Sequence, residues 1–321
     1  MVSTIFNHHI KVHPTSCQRS ALRSVQDVHW HGERHVPALD PRRSYRHRLK
    51  RGACIQAQTV GSTLQKSNRD YVTFTNTSGN VLQKLADNVW AADRPFLWNG
   101  IDVGGRMAVL RLSDGSIWVH SPVSLDDELA AALAEIGEVK HIVTPNFEHT
   151  KYAQQWKERY PNAKSYGCPG ISQKMPEVSF EEVGTSGTDP EEWLGEVQST
   201  WLSYEHNPFT RSPFFNEVVF YFKPARLLVT SDLFWNYPKD RDVGIGTKLW
   251  KTGMDRVYLP FYRSFMVKDQ GLYAEALGRI FKQWDFDSIL PCHGDYVAQD
   301  GKRVLQEHLE LVGERKRLIS S

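Results

Sequence analysis

From about residue 81 the chain alternates short apolar runs with turn residues, beginning at Leu85-Ala86-Asp87-Asn88-Val89-Trp90. Met107–Leu112 reads as a strand, Ser113-Asp114-Gly115-Ser116 as a hairpin turn, and Ile117–His120 as the returning strand. Ser124 is placed to cap a helix through about Ile136, because Leu125, Leu129, Leu133 and Ile136 recur at helical spacing. Val139–Val143 follows as a buried strand, then a loop and a helix over Tyr152–Arg159. A polar, Gly/Pro/Glu-rich insertion at 176–196 interrupts the pattern. Three further strands are expected at Thr200–Tyr204, Glu217–Phe222 and Leu227–Thr230. The chain closes with a helix around Tyr273–Trp284, a strand at Ser288–Leu290 and a helix at Lys302–Glu314. Strands and helices that alternate without internal repeats predict an α/β domain with mixed sheets.

Composition agrees with a globular domain: 40% hydrophobic and 24% charged among 321 residues. A net charge of +2 argues against a dedicated nucleic-acid binder, and no apolar run is long enough for a transmembrane segment. The four cysteines (Cys17, Cys54, Cys168, Cys292) lie far apart without a CxxC, so neither a disulfide framework nor a cysteine zinc site is expected. The average charge hides two unlike segments. Residues 1–51 hold ten Lys/Arg, seven His and only three acids, whereas the remainder has 29 basic against 34 acidic residues. An Arg- and Ser-containing, acid-poor start without periodicity has the composition of an organellar transit peptide; a basic tail with no address is the plainer reading. The irregularly spaced histidines there are a weak metal-binding tract at most. Residues 1–68 are accordingly set apart as a disordered leader, and 81–318 as the folded domain.

Chemistry is expected where strands end in polar loops. Three such ends stand out: Ile142-Val143-Thr144-Pro145-Asn146-Phe147-Glu148-His149, Leu228-Val229-Thr230-Ser231-Asp232, and Ile289-Leu290-Pro291-Cys292-His293-Gly294-Asp295. A fold that gathers them brings Glu148, His149, Asp232 and His293 together, a sound ligand set for zinc, iron or manganese. The competing reading is a hydrogen-bonded network that links three loops, with Asn146, Glu217 and Asp295 as further members or as supports around a metal. There is no GxSxG for a serine hydrolase and no G-x-G-x-x-G after a strand.

The order and spacing of these loops resemble the metallo-β-lactamase superfamily. More closely, PNFEHTKYAQQW (145–156), NPFTRSPFFNEVVFY (207–221), TSDLFWNYP (230–238), GTKLWKTGMDRVYLPFY (246–262), MVKD (266–269) and LPCHGD (290–295) resemble an uncharacterised branch found in plants, algae and some bacteria. That resemblance covers 85–315 and implies an αββα sandwich with metals at one edge. The superfamily's THxHxDH loop would fall with its histidines on Thr144, Asn146 and His149 and its Asp on Glu148. Its next His would fall near Pro213, with His206 the nearest histidine; its bridging Asp falls on Asp232 and its last His on His293. Thr144, Asn146 and Pro213 cannot replace imidazoles, so the resemblance implies at most a mononuclear site held by His149, Asp232 and His293. Glu148 is either a fourth ligand or a general base.

The expected function is thus a metal-dependent hydrolase of unknown substrate using one divalent metal (zinc, iron or manganese). The alternative is a catalytically inactive organellar protein that binds a small molecule or a partner. Trp235, Tyr237, Trp250, Phe261 and Tyr262 are the expected pocket walls. Lys248, Lys251, Arg256 and Arg263 nearby would meet either solvent or an anionic substrate. The leader together with the plant and algal likeness favours the chloroplast, with the mitochondrion as alternative.

Overall fold

A computed structural model describes residues 71–98, 101–185, 187–238 and 244–311. The leader expected at 1–68 and the part of the expected last helix beyond Leu311 lie outside the described residues. In chain order the strands and helices are β1 (Gln83–Ala86), β2 (Val89–Arg94), β3 (Leu97–Trp98), β4 (Ile101–Asp102), β5 (Gly105–Arg111), β6 (Ile117–His120), α1 (Asp127–Ile136), β7 (Val139–Thr144), α2 (Ala153–Arg159) and β8 (Lys164–Gly167). They continue with α3 (Ile171–Lys174), β9 (Phe180–Glu182), β10 (Val197–Trp201), β11 (Val218–Phe222), β12 (Leu227–Thr230), α4 (Ile245–Gly253), α5 (Leu259–Phe261), α6 (Gln270–Gly278), β13 (Ser288–Pro291) and α7 (Gly301–Leu311).

Two mixed sheets result, beside a short antiparallel β3–β4 pair. The first has seven strands in the order β1-β2-β5-β6-β7-β8-β9, and the second has four in the order β10-β11-β12-β13. Pairings β6–β7, β7–β8, β8–β9 and β12–β13 are parallel, and the others are antiparallel. The two-residue period of the strands sorts their side chains into layers. Ala108, Leu110, Trp118, Val143 and Tyr166 of the first sheet meet Val218, Phe220, Phe222, Val229 and Leu290 of the second in one core. Their neighbours Met107, Val109, Val119 and Ile142 point the other way and are covered by Leu129 and Leu133 of α1 and Trp156 of α2. Val219, Tyr221, Leu228 and Ile289 likewise turn outward beneath Tyr273 and Leu277 of α6 and Leu305 and Leu309 of α7. Each sheet is therefore buried on both faces, which gives the layer order αββα. Trp118 anchors the central layer, edge-on to Phe220 at 5.2 Å and to Trp193 at 5.9 Å. Fully burying a side chain of this kind contributes about 1.5–3 kcal/mol.

Several elements depart from the sequence reading. The cap of α1 is Asp126, not Ser124: its Oδ1 accepts the Leu129 N–H at 2.8 Å, which shortens the helix at its start. The 176–196 segment is part of the fold, since β9 extends the first sheet and Trp193 is fully buried in the central core. β10 begins at Val197, ahead of the expected Thr200, because it pairs along the whole of β11. Packed structure also begins before residue 81: Tyr71 is buried and its hydroxyl donates to Asp126 Oδ2 at 2.9 Å. The largest omission is helical. From Ile245 to Met266 the chain runs through α4, a π turn (Met254–Tyr258), α5 and a second π turn (Tyr262–Met266). Gly246, Gly253 and Pro260 inside this run hide it from propensity.

Candidate metal centre

The parallel pairs decide where the chemistry collects. In register, His120 of β6 lies beside Val143 of β7, and Thr230 of β12 beside Pro291 of β13, so each pair releases its loops side by side. From the first pair come Ser121 and the 145–149 loop; from the second come Asp232 and His293. His149, Asp232 and His293 each offer a ligand atom, and these atoms lie within 4.8 Å of one another. His149 Nε2 is 3.3 Å from Asp232 Oδ2, and His293 Nε2 is 3.7 Å from Asp232 Oδ1. The two imidazole rings are 5.3 Å apart.

Each imidazole is held by its other nitrogen. His293 Nδ1 donates to the Gly104 carbonyl at 2.8 Å, and His149 Nδ1 shares a hydrogen with Ser121 Oγ at 2.6 Å. With Nδ1 protonated, His293 presents the Nε2 lone pair to the Asp232 carboxylate. Lone pairs that face one another require a cation between them, either a proton or a metal ion, and imidazoles anchored in this way are the usual form of metal-ligating histidines. Ser121 adopts a left-handed φ of 56°, a conformation that carries its hydroxyl back under His149. Gly104 is also left-handed (φ 67°), and a Cβ there would lie 2.6 Å from the Phe74 ring.

Asn146 organises the centre without being a ligand. Its Oδ1 accepts the N–H groups of Glu148 (3.0 Å) and His149 (2.9 Å), and its Nδ2 donates to Asp232 Oδ2 at 2.6 Å. Glu217 does the same for the other loop: its carboxylate accepts from the amides of Ser231, Asp232 and Leu233 at 2.7, 2.9 and 2.7 Å. Burial and the adjoining Asp232 charge push the Glu217 carboxyl up to about 8, against the pull of those three amides. Burial works against the charged forms of His149 and Asp232 as well. For His149 that penalty is outweighed by Cys292 and Asp232, which hold its pKa well above the ordinary histidine value. For Asp232 it is outweighed by His149 and His293, which hold the carboxyl below its usual range. For His293 burial prevails over Asp232, and its pKa falls.

The remaining expected residues divide. Glu148 lines the same cleft, but its carboxylate is exposed and stands outside the three-ligand cluster. Trp235 lines the cleft and is fixed by its indole N–H on Asp255 at 3.1 Å. His206 does not line it, because the bridge Glu205–Val267 and the His206 N–H on the Met266 carbonyl draw it toward the 262–267 segment. Asp295 is likewise set back, its amide on the Asn236 carbonyl at 2.7 Å. Tyr237 and Trp250 are cleft walls as expected; Tyr262 instead lines a small adjoining cavity that also meets Asp232 and Trp235, and Phe261 lines neither. None of Lys248, Lys251 and Arg256 reaches the cleft, and Lys251 pairs with Asp255 at 2.7 Å. Sequence reading missed Ser121, Gly104 and the cleft residues Lys151, Phe214 and Phe215. Only Ser121 carried a signal, as the polar residue that ends β6. The cleft has a volume of about 280 Å³ and is mostly apolar, with Phe214 and Phe215 on the side where the resemblance lacks its histidine.

The two helix-flanked mixed sheets have counterparts among known structures. The metal-soaked flavodiiron core of Flv1 from Synechocystis sp. PCC6803 matches with a TM-score of 0.51 at 11% identity, over 74% of this chain and 61% of that one. The DIM-1 metallo-β-lactamase matches with a TM-score of 0.48 at 13% identity, covering 72% of this chain and 95% of that one. A metallo-β-lactamase from Pontibacter korlensis gives 0.47 at 13% identity, over 73% and 99%. Residues 86–242 match the model of a family described as a domain of unknown function (DUF4336). The chain has the metallo-β-lactamase fold. No curated protein matches it. Within this metallo-β-lactamase fold the strand ends that carry the resemblance are the ones that meet: the loops after β7, β12 and β13 converge, and the loop before β11 contributes the rings of Phe214 and Phe215.

Proposed function

We propose that this protein is a metal-dependent hydrolase with a mononuclear centre, in which His149, Asp232 and His293 hold one divalent ion (zinc, iron or manganese). The observation that carries this reading is the anchoring of both imidazoles through Nδ1, which leaves two Nε2 atoms and one carboxylate turned toward a common point. The donor set of two imidazoles and a carboxylate fits such an ion. A divalent ion held there supplies Lewis-acid polarisation of a carbonyl or phosphoryl oxygen. The chain's own residues do the rest. Asn146 and Glu217 hold the two loops and orient Asp232, Glu148 stands at the cleft as an exposed carboxylate able to take a proton from water, and the aromatic walls exclude solvent around the bound group. An ester, thioester, amide or phosphoester fits this chemistry.

The missing imidazoles at Thr144, Asn146 and Pro213 favour a second reading, in which the cluster is a hydrogen-bonded knot and the cleft only binds a small molecule. Metal analysis of protein purified without chelator separates the two. Stoichiometric zinc, iron or manganese that is lost from the His149→Ala/His293→Ala double variant supports the hydrolase. Metal-free protein whose stability does not change on adding these ions overturns it. In the same reading residues 1–68 direct the chain to the chloroplast, with the mitochondrion as the alternative; a fluorescent fusion of that segment that stays cytosolic would count against both.

A further inference from the structure

The helical run from Ile245 to Met266 has two unlike faces. Its inner face closes the cleft: Trp250, Met254 and Tyr258 line it, the Trp250 indole donates to the Tyr237 hydroxyl at 3.0 Å, and Leu259 is buried against Trp235 and Tyr237. At the start of the run the Thr247 hydroxyl donates to the Asp102 carbonyl at 3.2 Å, which ties the helix to the β3–β4 hairpin. The outer face carries Ile245, Leu249, Val257, Phe261 and Phe265, exposed at 77%, 66%, 70%, 37% and 57%. These five are spaced by multiples of four residues. In an uninterrupted α-helix of 3.6 residues per turn such a row would wind around the axis. The two π turns are wider than α turns and set the row back, so that it stays along one side. Single exposed apolar residues are ordinary; five in a row on one helix mark a surface that something covers.

Charge indicates what covers it. Residues 245–266 contain Lys248, Lys251, Arg256 and Arg263 but a single acid, Asp255. That acid is already engaged, by the Trp235 indole and by Lys251. Lys248 and Arg256, both within the run, are exposed beside the apolar row, while just beyond its end the exposed Lys268 is offset by the exposed Asp269. An apolar ridge with a cationic border is the pattern of a helix that lies in a membrane interface. A second copy of the chain fits less well, because an isologous contact sets this cationic border against itself. No helix among the described residues is long and apolar enough to cross a membrane. Leu97, on the hairpin that the run packs against, lines the cleft and is itself 65% exposed, which extends the apolar surface to the cleft rim.

We propose that the outer face of residues 245–265 docks this protein on an anionic lipid bilayer. This does not depend on a metal being bound. The test is vesicle flotation of the full chain with phosphatidylcholine vesicles and with vesicles containing phosphatidylglycerol, at low and high salt, beside a Leu249→Glu/Val257→Glu variant. Both positions are exposed, and thermal melting checks that the variant is folded. The basic leader is present in both proteins, so the difference between them reports the helix alone. Wild type is expected to float with anionic vesicles and more weakly with phosphatidylcholine. The double variant is expected to lose at least about tenfold in partitioning, with Leu249→Ala/Val257→Ala in between. Equal partitioning of wild type and both variants assigns any binding to the leader and overturns the proposal. So does wild type that stays with the aqueous phase, or a wild-type dimer in light scattering that the variant converts to monomer.

Discussion

Asn146 lies 2.6 Å from the Asp232 carboxylate, at a position where the resemblance calls for a metal-ligating histidine. The amide nitrogen donates to that carboxylate, and the amide oxygen accepts two loop N–H groups. Asn146→Ala removes three hydrogen bonds from a fully buried residue. A loss of about 3 kcal/mol in stability is expected, read as a lower urea midpoint at unchanged slope. If a metal is bound, its affinity should fall roughly 10–100-fold, as for other groups that orient ligands. Wild-type stability and affinity in the alanine variant would mean that the loop holds itself.

Glu217→Ala strands the amides of Ser231, Asp232 and Leu233 in the interior. Each buried unsatisfied group costs about 1–3 kcal/mol, so a loss of at least about 3 kcal/mol is expected in denaturant melts. Glu217→Gln keeps one acceptor oxygen and should recover part of it.

Gly294 sits between His293 and Asp295 with φ of 93°, and a Cβ there would meet the Asn236 carbonyl carbon at 2.2 Å. Backbone cannot yield as a flexible side chain can. Gly294→Ala is therefore expected to be among the most damaging substitutions in the chain, above about 3 kcal/mol, through strain combined with overpacking. A melting temperature within a degree of wild type would contradict this.

Buried histidines set the acid limit. Burial lowers His141 and His308 to about 4, and lowers His120 well below its ordinary value. Below pH 6.5 the unfolded chain takes up protons that these folded sites refuse, His141 and His308 until about pH 4. Stability should thus fall as pH drops across that window, by on the order of 2–3 kcal/mol for each of His141 and His308. His308 packs edge-on to Phe234 and Trp235 at 4.9 and 4.8 Å. His308→Leu keeps an apolar group there and should flatten the slope of urea midpoint against pH between 6.5 and 4. An unchanged slope would place the acid sensitivity elsewhere.

The strands around the centre were legible because their residues alternate cleanly and their ends break into polar residues. Val139–Val143, Leu227–Thr230 and Ser288–Leu290 were found within a residue or two, and with them His149, Asp232 and His293. Ser121 and Gly104 were not, since a hydroxyl and a carbonyl that anchor an imidazole leave no spacing pattern. The helix at 245–266 escaped because periodicity locates helices by the face they bury, and here the regular apolar row is the outward one. The inner face is held by Trp250, Met254, Tyr258 and Leu259 against Trp235 and Tyr237, and by polar contacts such as Thr247 to Asp102, whose partners lie elsewhere in the chain.

The division of the cluster between layers has one further consequence. Ser121, Asn146 and His149 are carried on loops that leave the seven-stranded sheet, and Asp232 and His293 on loops that leave the four-stranded one. The Asn146 amide, the Gly104 carbonyl and the Arg106 guanidinium, which donates to the Gly294 carbonyl at 2.6 Å, tie one layer to the other. Each ladder can persist while the layers part slightly, but the cluster cannot. It works as a latch across the seam, and an ion seated there would clamp the two halves of the sandwich together.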